Sequence, residues 1–426
     1  MTVERCDAIV LGGGPAGLAA ADRLAEGGMR VVLLEADTEL GGLAKSFRQD
    51  GKWIPITYHH VMGIDTATHR FLKRFGLWES MVWKSIKVVF WFHGKAYPLV
   101  QPWHILGFAP LTPLERLRLV RFGVVCYFKK NWHAFDAVRS DEWIERMLGR
   151  RARKAIFEPL AEMEFGTPLS AVSSGWLGYR LHESARNRSS YGYPSKDLKA
   201  LIDGIAAAVE KKGGRIMRGV EAVRVGRGTV EAVGPNGTRH RLESPRIVSA
   251  VPPEILLRIH EEPGRLDPEL STIRYRPLIC MCFGSRHLIS PHYWNVFMEP
   301  VLRFGGIFNH TALFPEGGAH GEYVYYLFSY ADEESPLYRT SEEELAAIYL
   351  EDIRTVCPKF DYLWRRIFKI PYSTPRYGLG YKNPPVESVY PGLFFAGVYR
   401  RYPCTRTMHT ALLSGCETAA AVLKKG

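Results

Sequence analysis

Three glycines and one acid carry the clearest chemical signal in this chain of 426 residues. Gly12-x-Gly14-x-x-Gly17 follows an apolar run, Asp7 to Leu11, and opens a helix-like segment; a second apolar run, Arg30 to Leu34, ends on Glu35. Gly12 allows a tight turn, Gly14 lets a pyrophosphate approach the backbone, and Gly17 lets the helix pack close to the strand. Free N–H groups and the positive end of the helix then face the phosphates. Glu35, about 20 residues beyond the glycines, can accept hydrogen bonds from a ribose diol. The spacing predicts a dinucleotide site. By itself it does not choose between NAD and FAD.

Other groups of reactive type are less specific. The imidazoles of His59 and His60, after Tyr58, could hold or move a proton, or be structural. Arg400-Arg401-Tyr402 could bind an anion or form a solvated loop, and Tyr191-Gly-Tyr193-Pro could wall a cavity or simply pack. The seven cysteines are scattered, with no C-x-x-C, and Cys280 and Cys282 would face the same side of a strand. Neither a disulfide framework nor a zinc site is expected.

The elements that must position these groups follow from pattern. Apolar runs at Arg215–Val225 and Arg246–Val251 read as strands, the second stopped by Pro252-Pro253. Thr229–Val233 and Arg239–Leu242 read as a hairpin turning at Asn236-Gly237, and Lys87–Phe92 with Lys95–Leu99 as another. Thr112, Pro113 and Glu115 form a capping-box start for a helix over 112–133. Further helices are expected at about 140–163, 195–212 and 340–356, with an aromatic, strand-rich stretch between 275 and 330. The chain closes with a strand, Gly392–Gly397, and a helix from Thr407 to Lys424.

Composition narrows the class. Hydrophobic residues make up 46% of the chain, which argues against disorder. The net charge of +12 suits an anionic substrate, nucleic acid or anionic membrane surface. No helix-turn-helix, zinc-finger or RNA-recognition signature accompanies it, so nucleic acid is not an expected partner. No signal peptide precedes the first strand, and no run of ~18 uncharged apolar residues could span a bilayer. A cytoplasmic protein is expected, with contact to the inner face of the membrane open.

The order of Gly12, Gly14, Gly17, Glu35, Leu40-Gly41-Gly42-Leu43-Ala-Lys45-Ser46, Ser249-Ala-Val-Pro252, Gly392–Gly397 and Ala411–Gly415 resembles the FAD-dependent amine-oxidase-type flavoproteins. That superfamily includes monoamine oxidases, protoporphyrinogen oxidase, phytoene-type desaturases and, more distantly, UDP-galactopyranose mutase. The resemblance implies FAD. It implies an α/β fold: a Rossmann-like FAD-binding domain (1–65, 210–260 and 385–426) with an inserted mixed sheet-plus-helix substrate domain (66–209 and 261–384). It places Gly12, Gly14, Pro15, Ala16 and Gly17 at the pyrophosphate, Glu35 and Ala36 at the adenosine ribose, and Gly41 and Gly42 beside the phosphates or flavin. Val220 would meet the adenine through its backbone, and Gly397, Met408 and His409 would reach the flavin end. His59, His60 and Arg400 are then the candidate catalytic residues. Val398 stands where many relatives carry an acid, and Leu43 where many carry arginine; Lys45, Arg400 or Arg406 could compensate in charge.

The implied activity is oxidation or desaturation of a hydrophobic, isoprenoid or lipid-like substrate. The alternatives are a non-redox flavin-dependent mutase acting on a nucleotide-sugar, favoured by Gly41-Gly-Leu-Ala, and a flavin-binding scaffold without turnover. Residues 83–132, with Trp83, Trp91, Trp103, Phe122, Phe128 and Trp132 among many Lys and Arg, are the expected membrane-contacting part. Their bland counterpart is a helical substrate domain with a basic face. The electron acceptor is not legible.

Overall fold

The computed structural model describes residues 3–99, 101–187, 190–299 and 301–425. In chain order, the elements that build the site are β1 (Ala8–Leu11), α1 (Pro15–Glu26), β2 (Val31–Glu35), α2 (Pro113–Phe128), α3 (Ser174–Asn187), β3 (Arg215–Arg218), β4 (Ile247–Ser249), β5 (Tyr275–Ser285), β6 (Tyr323–Tyr330), β7 (Trp364–Pro375), β8 (Leu393–Phe395) and α4 (Met408–Leu423). Strands β3-β2-β1-β4-β8 form one parallel sheet in that order. The continuous apolar runs of β1 and β2 are what a sheet covered on both faces requires. Helices α1 and α4 cover one face, and a small, largely antiparallel sheet that includes Glu221–Gly226, Thr229–Val233 and Arg239–Glu243 covers the other.

Backbone contacts that only glycine permits bind the two chain ends together. A Cβ on Gly17 would stand 1.9 Å from the Gly12 carbonyl oxygen, so α1 lies directly on the turn that precedes it. A Cβ on Gly415 would stand 2.1 Å from the Ala16 carbonyl oxygen, so α4 lies equally close to α1. Helices Thr66–Arg74 and Asp197–Lys211 also pack on this face, through Phe71, Leu72, Leu201, Ile202 and Ile205. The division at 66–209 is therefore corrected at both ends: these helices belong to the core of the nucleotide sheet.

The inserted part is built on a seven-stranded sheet, ordered β7, β5, β6, Gly306–Asn309, Trp294–Glu299, Val88–Phe92 and Lys95–Pro98. All neighbours are antiparallel except Trp294–Glu299 beside Val88–Phe92. Along β5, Leu278, Cys280 and Cys282 enter one core and Ile279, Met281 and Phe283 the other, which is the alternation of a strand buried on both faces. The β5–β7 ladder is interrupted: Arg276 pairs with Thr374 and Leu278 with Ile370, leaving Pro371–Ser373 as a bulge. Such bulges re-aim side chains next to functional sites.

Local signals act where the spacing places them, and tertiary context trims their extent. Thr112 accepts a hydrogen bond from Glu115 N–H and the Glu115 carboxylate caps Thr112 in return, but α2 stops at Phe128. The helix expected over 140–163 breaks at Gly149 (φ +91°), giving Ser140–Leu148 and, after a wide turn at Arg153–Phe157, Glu158–Phe165. The strand expected over 215–225 is cut at Gly219 (φ +67°), and its two halves join different sheets. Among the described residues all seven cysteines are free, no cluster of metal-ligating side chains occurs, and no helix is long and apolar enough to cross a membrane.

Candidate cofactor and substrate site

A cavity of about 1590 Å³ runs from the β1–α1 turn, past the ends of β4 and β8, to the bulge of β7. Drug-sized ligands occupy sites of ~300–1,000 Å³, so this space suits a dinucleotide and a second molecule together.

Gly12, Gly14, Pro15, Ala16, Glu35, Ala36, Gly42 and Val220 line its first end. Gly14 precedes α1 without a side-chain cap and Pro15 opens the helix, whereas α2 and α4 are capped by Thr112 and Thr407. The first-turn N–H groups of α1 are thus left for a ligand. A Cβ on Gly14 would meet only the Gly42 Cα, at 4.0 Å, so a narrow gap between two glycines fronts the helix. The Glu35 carboxylate is fixed at this rim by the N–H groups of Gly13 (2.6 Å) and Asp37 (2.8 Å).

Two of the residues expected here, Gly17 and Gly41, act from behind. Gly17 packs against Gly12. Gly41, at φ +112°, donates its N–H to the Gly13 carbonyl (2.9 Å) and holds the Gly42 segment in place. Val220 lines the cavity, but its N–H is taken by the Glu35 carbonyl (2.8 Å), so an adenine contact through that group is excluded. Leu43 and Lys45 also line the space; Lys45 is paired with Asp37, and so does not replace an arginine at position 43.

At the other end stand Tyr58, His59, His60, Gly397, Val398 and Met408. The Gly397 N–H donates to Ser414 Oγ (2.9 Å), and the Val398 carbonyl accepts from the Tyr377 hydroxyl (2.9 Å). His59 Nδ1 lies 2.9 Å from the Thr57 carbonyl; a carbonyl can only accept, so the neutral ring carries its proton on Nδ1 and leaves Nε2 as an acceptor. Burial pushes His59 down to about 4 and His60 to about 3, the latter helped by His59 and Arg180. Both imidazoles are neutral over the physiological range.

Two expected residues face elsewhere. Arg400 is buried away from the cavity, its Nε donating to the Pro384 (3.2 Å) and Pro385 (3.0 Å) carbonyls. It therefore anchors a loop, and its assignment as catalytic is withdrawn. His409 does not line the cavity either; its Nδ1 accepts the Ala67 N–H (3.0 Å), tying α4 to the helix at Thr66–Arg74. Arg401 is similarly engaged, with Glu417 (2.6 Å).

The structure adds lining residues that spacing does not single out. Trp176, Arg180 and Glu183 come from α3, Tyr330 from β6, Phe368–Pro375 from β7 and its bulge, and Arg376 and Tyr377 from the segment just beyond it. Burial raises the Glu183 carboxyl above its ordinary value, against the hydrogen bond it receives from Thr405 N–H (3.0 Å). Arg406, six residues beyond Arg400 and next to the Thr407 cap, reaches the cavity in its place. Of the tyrosines in Tyr191-Gly-Tyr193, Tyr191 lines the cavity and Tyr193 packs against His310 and Phe314.

The model of the family described as flavin-containing amine oxidoreductases matches residues 15–423. An amine oxidase [flavin-containing] of Danio rerio is 21% identical over 302 residues, covering 67% of this chain and 56% of that protein. The chain thus spans little more than half the length of the curated relatives it matches. The structure of reduced UDP-galactopyranose mutase superposes with a TM-score of 0.77 at 16% identity, over 99% of this chain and 96% of the other. Wild-type putrescine oxidase bound to putrescine does so with 0.74 at 15%, over 99% and 100%. At these identities the likeness to the solved structures is one of fold.

The two neutral imidazoles have a measurable consequence. Between about pH 6.5 and pH 4 the unfolded chain binds protons that the folded state refuses, so stability falls as pH falls through that window. Asp65, held up at about 7 by burial, acts in the opposite sense across pH 4 to 7 in both proteins compared. Replacing His59 and His60 together by Gln is expected to shift the stability change between about pH 7 and pH 5 in favour of the folded state by about 4 kcal/mol. Denaturant unfolding at the two pH values reads this; equal losses in wild type and variant would show that the imidazoles titrate normally.

Proposed function

The chain belongs to the flavin-containing amine oxidoreductase family, and on that premise we propose an FAD-dependent oxidoreductase that oxidises or desaturates a hydrophobic substrate. The observation that carries this reading is the continuity of one cavity. It joins the glycine cradle at α1 to a wall made by Tyr58, Phe165, Trp176, Tyr191, Trp294 and Phe368.

The residues of the first end fit FAD on structural grounds. The uncapped N-terminus of α1 and the gap between Gly14 and Gly42 would receive the pyrophosphate, and Glu35 the adenosine ribose. The start of α4, at Met408, would lend its positive end to the flavin side. When bound, FAD supplies a two-electron acceptor for bond oxidation. The aromatic wall binds and orients an apolar substrate and excludes water from it. His59, with its proton fixed on Nδ1 by Thr57, presents an unprotonated Nε2 as a neutral hydrogen-bond acceptor that can orient a bound molecule.

A membrane-facing role fits the surface of α2. Trp132, Phe122, Phe108 and Phe92 from the expected region are core residues, which removes them from any such surface. Leu114, Leu117, Val124, Val125 and Phe128 (71% exposed) lie on the outer face of α2, and Trp103 (66% exposed) and Leu106 extend it. Arg118, Arg121 and Lys130 are exposed beside them. An apolar stripe with flanking cations suits shallow insertion among anionic headgroups. Co-sedimentation with vesicles containing phosphatidylserine is expected for the wild type. It should fall several-fold in Leu117→Glu/Phe128→Glu, and on vesicles of phosphatidylcholine alone. Equal recovery on both vesicle types, or by both proteins, would refute the membrane reading.

The redox reading is tested by anaerobic titration of the purified protein with apolar candidate substrates. Bound FAD whose absorption bleaches in step with product formation, and returns on adding an acceptor, is the expected result. Turnover of a nucleotide-sugar by the pre-reduced protein, with no net electron transfer, would replace the oxidoreductase by a mutase. A purified chain that neither holds FAD nor is thermally stabilised by it would overturn both.

A further inference from the structure

Arg406 is a charged group without a charged partner, in a place where that is costly. It is half-buried and lines the cavity beside His59. Its Nη1 donates to the carbonyl of Ser373 (2.8 Å), its only hydrogen bond among the described residues. No carboxylate among those residues lies within ion-pair distance of it. The groups that face it are Tyr330, Tyr58, Tyr275 and Tyr377, together with the neutral imidazole of His59. Glu183 lines the same cavity, but its Oε2 accepts from the N–H and hydroxyl of Thr405 and it makes no ion pair with Arg406 among the described residues. Asp332, near the tyrosine cluster, is paired with Arg376.

The fold holds this guanidinium deliberately open. Ser373 belongs to the β7 bulge, so its carbonyl is released from the ladder and can receive Arg406, while its hydroxyl donates to the Arg276 carbonyl (2.8 Å). Arg276 is itself 9% exposed, lines the cavity, and has a buried Nε without a hydrogen-bond partner. Both arginines face Tyr330. An arginine stays protonated in any protein environment, and its five N–H donors form a fork that matches two oxygens of an anion. A charge drawn away from bulk water is costly to keep unless something pairs with it. A single carbonyl bond leaves most of Arg406's donors for a ligand.

We propose that Arg406 is the anion-binding residue of the substrate site, with Arg276 contributing to the same positive field, and that the substrate is an amphiphile: an apolar body against the aromatic wall and a carboxylate or phosphate on Arg406. This rests on the reading of the cavity as the substrate site of an oxidoreductase, and it names the substrate class that reading leaves open. Arg406 is treated as a binding residue; the proposal adds no chemical step.

The test uses four probes with one alkyl chain, decanoate, decyl phosphate, decanol and decylamine, titrated into FAD-loaded protein by calorimetry and by perturbation of the flavin absorption. Wild type is expected to bind one of the two anions at least about tenfold more tightly than decanol, and decylamine least. Whichever anion binds more tightly identifies the head group. Arg406→Met should bring the anions down to the level of decanol while leaving decanol binding and FAD content unchanged. Arg406→Lys should recover part of the preference, because a point charge replaces the fork. Equal affinities for decanoate, decyl phosphate and decanol in the wild type would overturn the proposal. So would an Arg406→Met variant that keeps the preference, including one in which only the flavin reduction potential moves. Should Arg406→Met fail to fold, the wild-type ranking and the lysine variant still decide. If the chain holds no FAD, calorimetry alone reports the ranking. The cofactor reading then falls, while the anion preference is judged separately.

Discussion

Two close backbone approaches set the rest of this molecule's design. Gly17 against the Gly12 carbonyl and Gly415 against the Ala16 carbonyl bring α1 down onto the first strand and α4 down onto α1. A methyl group at either position would have to displace backbone, and overpacking of this kind costs about 1–3 kcal/mol or more. Because α1 is pinned at its N-terminus, its free N–H groups point at one fixed place. Because α4 is pinned to α1, the start of the last helix reaches the same cavity from the other side. Two segments almost four hundred residues apart in sequence thus close one site.

Within that site burial decides which groups carry charge. It drives His59 and His60 to their neutral forms. It cannot neutralise Arg406, whose guanidinium faces tyrosines and a neutral imidazole. The β7 bulge makes this arrangement possible, since a regular ladder would have spent the Ser373 carbonyl on strand pairing. An apolar wall and one fixed cation are the features a cavity needs to orient an amphiphilic molecule. The exposed stripe on α2 is compatible with such a molecule arriving from a lipid phase.

Sequence alone carried the parts of this structure that depend on local chemistry. The glycine spacing, the acid at 35, the capping box at Thr112 and the turn at Asn236-Gly237 each have a short-range physical cause, and each appears where that cause operates. The substrate end was less legible because it is assembled by packing. Arg400 and Arg406 have the same charge and lie six residues apart in one loop. Nothing in their spacing says that Arg400 would be absorbed by the Pro384 and Pro385 carbonyls while Arg406 met the β7 bulge. Val220 and His409 illustrate the same limit, since the Glu35 carbonyl takes the Val220 N–H and a helix-to-helix bond takes His409 Nδ1. The aromatic content between 83 and 132 pointed at a surface, but the rings divided, some filling the core and others facing out.

The central claim, that both chain ends close one FAD site facing a substrate cavity, is tested most directly by a crystal structure of the protein loaded with FAD. The account predicts the pyrophosphate on the first-turn N–H groups of α1 beside Gly14 and Gly42, the adenosine ribose on Glu35, and the flavin ring between the Tyr58-His59 segment and the start of α4. FAD bound outside this cavity, or a flavin ring lying away from α4 with Arg406 remote from the open space in front of it, would contradict it.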